Sequence, residues 1–489
     1  MMRCPTSAAL LLLAAAPVQA GAGRCPAPRE PPLEPREVTD LNGVAWPPLC
    51  LEEGGPGGEE HFFVIGDWGG IPSGPGGAPV PANQVGSRGR PFVAGVDNCA
   101  QQLVAAQMKL RANSSRPRFL LNVGDNFYWG GVTTHCGADS LIRTGQWQHV
   151  FEDIYTGEDL ADKPWMGVLG NHDYGGYMFT SGWDQAIRYT WGPGGRWLTP
   201  ALYWSRRVLY SDFSLDLFFV DSNVNDAHHP MDFPNSNMCS LAHNGEGASC
   251  SGTGPPSVWD CHEWFQKLWQ EQIPWLEAGL GASTAEWQVV VTHFPPDFMI
   301  GVWAQLAEKY GIDLIIGGHR HQEEVHYKDG FAGGLLGSTA WVVAGGGGGI
   351  TSECTPRLDG QDDCYGFMDV AVTKEKLRID AISHGGVLRS STEVWPRKSL
   401  IQRRPTTTTT TEATTATTTV TLTSTQSVSL PTITTTASDN ASAVGNQSLT
   451  ETTPPPPSGL AAERRPALRS ANASSPAAEG KRGKPLLLL

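Results

Sequence analysis

Five short segments contain side chains that can bind metals, and four of the five also contain glycine. They are GDWGG (66–70), GDNFY (124–128), GNHD (170–173), VVTH (290–293) and GHRH (318–321). Taken singly, each segment has an ordinary explanation, because Asp and Asn form turns and loop histidines are usually surface residues. Taken together, the segments offer oxygen and nitrogen donors from seven residues: Asp67, Asp125, Tyr128, Asn171, His293, His319 and His321.

This donor set predicts a pair of metal ions. Mixed carboxylate, phenolate and imidazole ligands suit iron, zinc or manganese, whereas an all-oxygen set would suit magnesium or calcium. The number of donors is sufficient for two metals if one carboxylate bridges them. Two metals held close together form a clamp for in-line attack on phosphorus, so the chemistry indicated is the transfer of a phosphoryl group.

Each segment follows or ends an apolar run that is typical of a strand. Six such runs are HFFVIG (61–66), RFLLNVG (118–124), PWMGVLG (164–170), LDLFFVD (215–221), EWQVVVTH (286–293) and IDLIIGG (312–318). Continuous apolar strands indicate a largely parallel sheet that is covered on both faces. Because ligands of such folds lie at the carboxyl ends of the strands, we expect the donor residues to converge at one edge.

Helical composition occurs between these strands, at 94–112 and at 257–280, where we expect a break near Pro274. The alternation of strand and helix predicts an α/β fold. The run Gly345–Gly349 follows another apolar stretch, and we expect it to let the backbone pass close to the site. A phosphate-binding P-loop is excluded here because no GK[ST] sequence follows the glycines.

The five segments match, in order and spacing, the signature GDxG, GDxxY, GN(H)D/E, VxxH and GHxH. Over residues 59–397 the chain therefore resembles the purple acid phosphatases, in particular the small, mammalian-type, tartrate-resistant form, within the calcineurin-like metallophosphoesterase superfamily. The wider superfamily has DxH and GDxxD in the first two blocks, where this chain has Gly69 and Tyr128. The resemblance implies a four-layer α/β/β/α sandwich, and only a short leader precedes it, without room for the β-sandwich domain of large plant-type members.

The resemblance also implies a role for each donor residue. The ligands of a first metal, Fe(III), would be Asp67, Asp125, Tyr128 and His321. The ligands of a second, divalent metal (Fe, Zn or Mn) would be Asp125, Asn171, His293 and His319. Asp125 would bridge the two metals. The catalytic residue implied is His172, which would contact the phosphoryl oxygens or the leaving group without binding a metal.

The implied activity is that of an acid phosphatase, a hydrolase in which a metal-bound hydroxide attacks a phosphate monoester. Ferric iron lowers the pKa of bound water, which accounts for activity at acid pH. The group that protonates the leaving alkoxide is open. Mammalian-type members have another His after the fourth block, whereas HFPPDFMIGVWAQ (293–305) has none and offers only Asp297. His228 and His229 either line the pocket rim or are a surface pair, and Asp173 either orients a histidine or forms a turn.

Two other functions are compatible with parts of the sequence. The same fold could act on a phosphodiester or a nucleotide, with the 226–262 insertion shaping the pocket. A non-catalytic secreted glycoprotein is suggested by the Thr-rich C-terminal region, although the retention of every donor residue weighs against it.

The ends of the chain differ in composition from its centre. Residues 1–20 are typical of a signal peptide, with Arg3, the apolar run AALLLLAAAP and a cleavage sequence ending at Ala20; an uncleaved anchor is the alternative. That run is too short to span a bilayer, so no transmembrane anchor is expected. Residues 21–58 are expected to be an extended leader and 59–397 the catalytic domain. Residues 398–489 are Thr- and Pro-rich, which predicts a disordered, glycosylated tail. Glycosylation sequons occur at Asn113, Asn440, Asn446 and Asn472.

Cysteine content and charge agree with export. Of ten cysteines, Cys4 would leave with the signal peptide, so the remaining odd number should form disulfides and leave one thiol over. Cys354 and Cys364 are predicted to pair locally, and the insertion is predicted to be stabilised through its three cysteines: Cys239, Cys250 and Cys261. The net charge of −14 argues against a nucleic acid or an anionic membrane as partner, so small phosphorylated substrates are expected.

Overall fold

The computed structural model describes residues 25–397, except 28, 52–53, 55–57, 71–88, 140–143, 251 and 329–335. The predicted signal peptide (1–20) and tail (398–489), with three of the four sequons, lie outside the described residues. They remain predictions, as does the boundary drawn at residue 59.

The described residues form two β-sheets of seven strands each. Across the first sheet the strands are β1 (Val44–Cys50), β6 (Trp204–Leu209), β7 (Ser214–Phe219), β8 (Trp287–Val291), β9 (Leu314–Gly317), β11 (Ala340–Ala344) and β10 (Glu323–His326). Across the second they are β14 (Leu388–Val394), β13 (Leu377–Ser383), β12 (Gly366–Val372), β2 (Glu60–Ile65), β3 (Leu120–Asn122), β4 (Trp165–Gly167) and β5 (Trp197–Leu198). Strands β7, β8, β9 and β11 are mutually parallel, as are β2 to β5, so each sheet has a parallel half whose strands end on the same side.

Helices connect the strands and cover the outer faces of the sheets. The α-helices are α1 (Ala100–Ser115), α2 (Asn171–Tyr174), α3 (Trp183–Arg188), α4 (Val258–Ala282) and α5 (Ile300–Tyr310). Shorter turns of 3-10 helix are Tyr189–Trp191, Asn223–Asp226 and Pro296–Met299, and Trp147–Glu152 is a π-helix.

Strand β2 shows why its sequence is continuously apolar. Phe63 and Ile65 pack in the same core as helix α1, whereas Phe62 and Val64 face the other sheet. Successive side chains of a strand point to opposite faces, so a strand buried on both faces needs apolar residues at every position. On the other side, helices α4 and α5 pack on β7, β8 and β9. The predicted four-layer α/β/β/α sandwich is confirmed.

One local expectation is wrong, and one strand was not foreseen. Residues 44–50, which lie within the predicted leader, form strand β1, which pairs in parallel with β6 and buries Trp46. Pro47 and Pro48 obscured this strand, and they are tolerated because β1 is an edge strand with an irregular register at this point. Helix α4 runs through Pro274 without the expected break. Pro274 is exposed, so water can donate to the carbonyl group four residues earlier, to which proline cannot donate because it has no backbone N–H.

Four disulfides cross-link the described residues: Cys25–Cys50, Cys136–Cys250, Cys239–Cys261 and Cys354–Cys364. The predicted Cys354–Cys364 pair is confirmed, and within the described part of the chain Cys99 is the one free thiol. Cys250 leaves the insertion to join Cys136, so the insertion is tied both to itself and to the loop after β3. None of the helices in the described residues has the length and apolar character needed to cross a membrane.

Candidate metal centre

The donor residues follow the carboxyl ends of parallel strands from both sheets. Asp67, Asp125 and Asn171 follow β2, β3 and β4 of the second sheet, while His293 and His319 follow β8 and β9 of the first. Hydrogen bonds join the two sets across the sheets. The ring Nδ1 of His293 donates to the backbone oxygen of Val123 at 2.8 Å, and the backbone N–H of His319 donates to Asp67 Oδ2 at 3.0 Å.

Three of these residues have unusual backbone conformations. Asp67, Asp125 and His319 have φ values of 55°, 52° and 66°, the left-handed region that non-glycine residues rarely adopt. Each such residue costs on the order of 1–3 kcal/mol and persists only where the surrounding structure enforces it. Here the enforced turn ends each strand abruptly and places the side chain at the sheet edge.

The first group of donors surrounds the hydroxyl of Tyr128. This Oη lies 3.0 Å from Asp67 Oδ1, 2.7 Å from Asp125 Oδ2 and 3.2 Å from His321 Nε2. His321 Nε2 is also 3.5 Å from Asp67 Oδ1. We call these four residues the tyrosine group.

The second group surrounds the side-chain oxygen of Asn171. His293 Nε2 lies 3.1 Å and His319 Nδ1 lies 3.3 Å from Asn171 Oδ1. His293 Nε2 is also 3.4 Å from Asp125 Oδ1. These residues form the histidine group, and Asp125 belongs to both groups through its two different oxygens. The structure thus brings together all the donor residues that the sequence predicts.

The electrostatics of these groups favour cations. Burial and the nearby Asp125 raise the pKa of Asp67 well above its ordinary value, and burial and the same carboxylates raise that of Tyr128. Burial would also raise the pKa of Asp125, but the charges of His293 and His172 outweigh it and lower the value to about 2. Acidic oxygens this close repel each other unless a proton or a metal lies between them. The mixed oxygen and nitrogen donors therefore fit two ions of the iron, zinc or manganese type.

His172 contacts the shared carboxylate through its backbone. Its N–H donates to Asp125 Oδ1 at 2.8 Å, and its ring Nδ1 donates to the backbone oxygen of Trp129 at 2.6 Å. The second bond fixes the ring and leaves Nε2 available. Burial lowers the pKa of the imidazole.

Asp173 stabilises a turn and orients no histidine in the described contacts. Its carboxylate accepts hydrogen bonds from the backbone N–H groups of Gly170 and Asn126 at 2.8 and 2.9 Å. It also accepts one from the side chain of Asn126 at 2.9 Å. Of the two roles considered for Asp173, the geometry favours the turn.

Two acidic residues that sequence reasoning missed orient the donors. Asp226 Oδ2 accepts a hydrogen bond from Asn171 Nδ2 at 3.1 Å, which turns the amide oxygen of Asn171 toward the histidines. Glu353 Oε1 lies 3.1 Å from His321 Nδ1, so the Nε2 of that ring faces Tyr128. Their signals were weak: Asp226 stands two residues before His228 in the insertion, and Glu353 follows the glycine run.

Comparison with known proteins identifies the family. The model of the calcineurin-like phosphoesterase family matches residues 61–323, which is more than half of the chain. The chain belongs to the calcineurin-like phosphoesterase family. Its predicted resemblance to this superfamily is confirmed, and purple acid phosphatases are among its relatives.

Two curated relatives and one solved structure illustrate the similarity. Tartrate-resistant acid phosphatase type 5 of Mus musculus is 21% identical over 295 residues, which is 57% of this chain and 71% of the relative. Purple acid phosphatase 3 of Arabidopsis thaliana is 27% identical over 336 residues, 66% of this chain and 74% of the relative. A solved structure of GAP50, described as the anchor in the inner membrane complex of Plasmodium, has a TM-score of 0.46 at 17% identity and covers 71% of this chain and 93% of its own.

Glycines bring the backbone of this phosphoesterase close to the tyrosine group. A Cβ atom at Gly349 would lie 2.5 Å from the Tyr128 ring, and one at Gly345 would lie 2.1 Å from the backbone oxygen of Arg320. The expectation for the glycine run is confirmed. At Gly69, where the wider superfamily has a histidine, a Cβ would lie 1.6 Å from the backbone oxygen of Asn126. The turn that carries Tyr128 therefore leaves no space for a side chain at that position.

A cavity of about 570 Å³ opens beside both groups. Its aromatic lining includes two pairs of rings in contact, Trp129 with Tyr177 and Phe294 with Phe298. His228 also lines the cavity. Its neighbour His229 is not among the described residues that line it.

Asp297, the acid considered from the sequence for protonating the leaving group, is paired with Arg320 at 2.8 Å. Arg320 also binds Glu324 at 2.8 Å, so two carboxylates share its charge. Asp297 is absent from the described lining of the cavity. These contacts of Asp297 lend no support to that role.

Proposed function

We propose that this protein is a purple acid phosphatase that hydrolyses phosphate monoesters at a binuclear metal centre. The observation that carries the proposal is the position of Asp125, whose two oxygens face Tyr128 at 2.7 Å and His293 at 3.4 Å. One buried carboxylate shared by two sets of donors is the arrangement that two adjacent metals require. The phosphoesterase family and the acid phosphatases among the relatives support the reaction type.

The two groups differ in charge, which supports different metals. The tyrosine group has a phenol and a carboxylate of its own besides Asp125, and anionic oxygen donors suit Fe(III). The histidine group adds only neutral donors, an amide oxygen and two imidazoles, which suit a divalent ion of Fe, Zn or Mn. When bound, such a pair supplies positive charge to the phosphoryl group and an activated water for in-line attack.

The residues of the chain prepare the site before any substrate arrives. Hydrogen bonds from Asp226 and Glu353 set the orientation of Asn171 and His321, so these donors need not reorganise. His172 is fixed through Nδ1, and its Nε2 is available to a phosphoryl oxygen in the adjoining cavity. The cavity walls exclude part of the surrounding water, which strengthens these polar contacts.

We further propose that the protein is secreted. The support is the signal-like composition of residues 1–20 together with four disulfides in the described residues, since disulfides persist in oxidising compartments. The tail at 398–489 is proposed as a glycosylated spacer.

The decisive experiment compares the visible spectrum and the activity of wild type with those of Tyr128→Phe. We expect a broad phenolate-to-iron band in wild type that disappears in the variant, and hydrolysis of nitrophenyl phosphate in preference to its diester. Tyr177→Phe is the matched control, because Tyr177 lines the cavity but belongs to neither donor group. An active protein without the band would contradict the iron, and preference for the diester would contradict the monoester substrate. A metal-loaded protein that hydrolyses neither ester would favour the non-catalytic glycoprotein.

A further inference from the structure

His228 lies in the substrate cavity without a role in the donor groups. It shares the cavity lining with Asn171, His172 and His319. Its backbone N–H donates to Asn237, but neither nitrogen of its ring has a hydrogen-bond partner among the described residues. His229 is exposed and its ring Nδ1 accepts from the backbone of Met231, so the two adjacent histidines have different environments. The ring contacts Phe233 edge-on, with the centroids 5.0 Å apart, and its two nitrogens are available to a ligand in the cavity.

Asn237 fixes the loop that carries His228. This buried side chain accepts hydrogen bonds from the backbone N–H groups of His228 and Cys239, at 3.0 and 2.8 Å. Its amide also donates to the backbone oxygens of His229 and Asp232, at 3.0 and 2.8 Å. One side chain therefore holds the loop at four points, and the position of His228 is well defined.

Two further links tie this loop to the rest of the site. The Cys239–Cys261 disulfide joins it to helix α4, and His262 of that helix donates to the backbone oxygen of Ala227 at 2.7 Å. Asp226, two residues before His228, accepts from Asn171 of the histidine group at 3.1 Å. His228 is thus held at a fixed place relative to the proposed metals.

Two carboxylates of this region are engaged elsewhere. Asp297 is paired with Arg320, and Asp226 holds Asn171. His172 lies against the shared carboxylate through its backbone N–H, and the proposed function assigns it to the phosphoryl oxygens. Hydrolysis of an alkyl ester needs an acid on the opposite side, where the alkoxide leaves.

We propose that His228 is a catalytic residue that protonates the leaving oxygen; this assignment rests on the proposed phosphomonoesterase function. As the attacking water oxygen forms its bond to phosphorus, the bond to the ester oxygen breaks and its electron pair stays on that oxygen. The oxygen then takes the proton of the His228 imidazolium. The products are an alcohol and inorganic phosphate, the attacking water's surplus proton passes to solvent or product, and His228 regains a proton from solvent.

The surroundings of His228 agree with this role. Burial and the neighbouring His262 lower the pKa of His228, while Asp232 acts in the opposite direction. A lowered pKa makes the imidazolium a stronger acid than an exposed histidine.

The first test varies the leaving group in the full-length, metal-loaded protein. Dinitrophenyl phosphate has a leaving group that needs no proton, whereas glycerol phosphate has one that does. We expect His228→Ala and His228→Gln to hydrolyse dinitrophenyl phosphate at the wild-type rate and glycerol phosphate roughly 100-fold more slowly. His229→Ala should match wild type on both esters, and elemental analysis should find unchanged metal content in all variants. If the His228 variants hydrolysed both esters more slowly by the same factor, or hydrolysed both at the wild-type rate, the assignment would be overturned.

The second test does not depend on turnover. Diethyl pyrocarbonate modifies accessible imidazoles, and benzylphosphonate imitates an ester with a carbon atom in place of the leaving oxygen. We expect mass spectrometry to show that benzylphosphonate protects His228 and leaves His229 fully reactive. Equal modification of His228 with and without the phosphonate would overturn the assignment. A wild type that hydrolyses no ester would instead overturn the proposed function itself, so the two failures are distinguishable.

Discussion

The tyrosine group and the histidine group lie at the same sheet edge and share Asp125, yet they are built differently. The tyrosine group gathers two carboxylates and one imidazole around a single phenol oxygen. The histidine group surrounds an amide oxygen with two imidazoles. The comparison teaches that one fold can build two donor groups of different charge by changing only which side chains follow its strands.

The largest effect is expected from removing the residue that the groups share. In Asp125→Asn one group faces an NH2 in place of an oxygen and the other faces a neutral amide oxygen, so we expect metal content to fall in both and activity to drop by at least roughly 10³-fold. Elemental analysis and hydrolysis of nitrophenyl phosphate measure the two effects. Asp212→Asn is the control, since Asp212 is an exposed aspartate that belongs to neither group. If Asp125→Asn retained both metals, the two groups would not depend on a common ligand.

Asp221 is a buried acid outside both groups, and its titration makes the free energy of unfolding depend on pH. Experiments that vary the pH to study the two groups must take this contribution into account. Burial raises the pKa of Asp221 from 3.8 to about 6, although Asn223 and Tyr174 donate hydrogen bonds to it. The folded state therefore keeps a proton that the unfolded chain releases. This contribution to stability is complete below about pH 4 and is lost as the pH rises through 6, a change of roughly 3 kcal/mol.

The measurement is urea unfolding of metal-free protein at several pH values. Asp221→Asn cannot ionise, so its free energy of unfolding should lose this decline between about pH 4 and 6. Asp212→Asn, at an exposed aspartate, should keep the wild-type profile. An unchanged profile in Asp221→Asn would assign the pH dependence to the donor groups instead.

Sequence was sufficient for the donor residues because their geometry follows from a general rule. Parallel strands end on the same side, so Asp67, Asp125 and Asn171 must approach one another once β2, β3 and β4 are adjacent. His293 and His319 follow in the same way from β8 and β9. The five short motifs also fix the residue types, which is why the separation into two groups agrees with the ligand sets implied by the resemblance.

The features that sequence missed depend on contacts between distant segments. Asp226 meets Asn171 across a separation of 55 residues, and no local pattern distinguishes it from other loop aspartates. Strand β1 was hidden because its two prolines are unfavourable in a strand unless it lies at an edge. Cys250 had nearer cysteines available, yet it pairs with Cys136 because the insertion folds back onto the loop after β3.

The smallest expected effects give the sharpest comparison, because each orienting acid serves only one group. Asp226→Asn replaces the carboxylate that accepts a hydrogen bond from Asn171 by an amide. The orientation of the Asn171 side chain is therefore held less firmly. Glu353→Gln similarly weakens the orientation of His321. We expect Asp226→Asn to weaken the affinity for the metal of the histidine group by roughly 10- to 100-fold. We expect Glu353→Gln to weaken the affinity for the metal of the tyrosine group by the same factor.

Competition with a chelator separates the two losses. The visible band monitors the metal of the tyrosine group, and elemental analysis monitors the metal of the histidine group. The variants act as controls for each other, since each should leave the opposite site at wild-type affinity. If both variants released both metals together, Asp125 would couple the sites so strongly that they behave as one. If Glu353→Gln kept its band while Asp226→Asn lost it, the assignment of the orienting acids to their groups would be wrong. We expect each variant to affect one group only, because each acid contacts a donor residue that the groups do not share. His321 Nδ1 contacts Glu353 at 3.1 Å, and Asn171 Nδ2 contacts Asp226 at 3.1 Å.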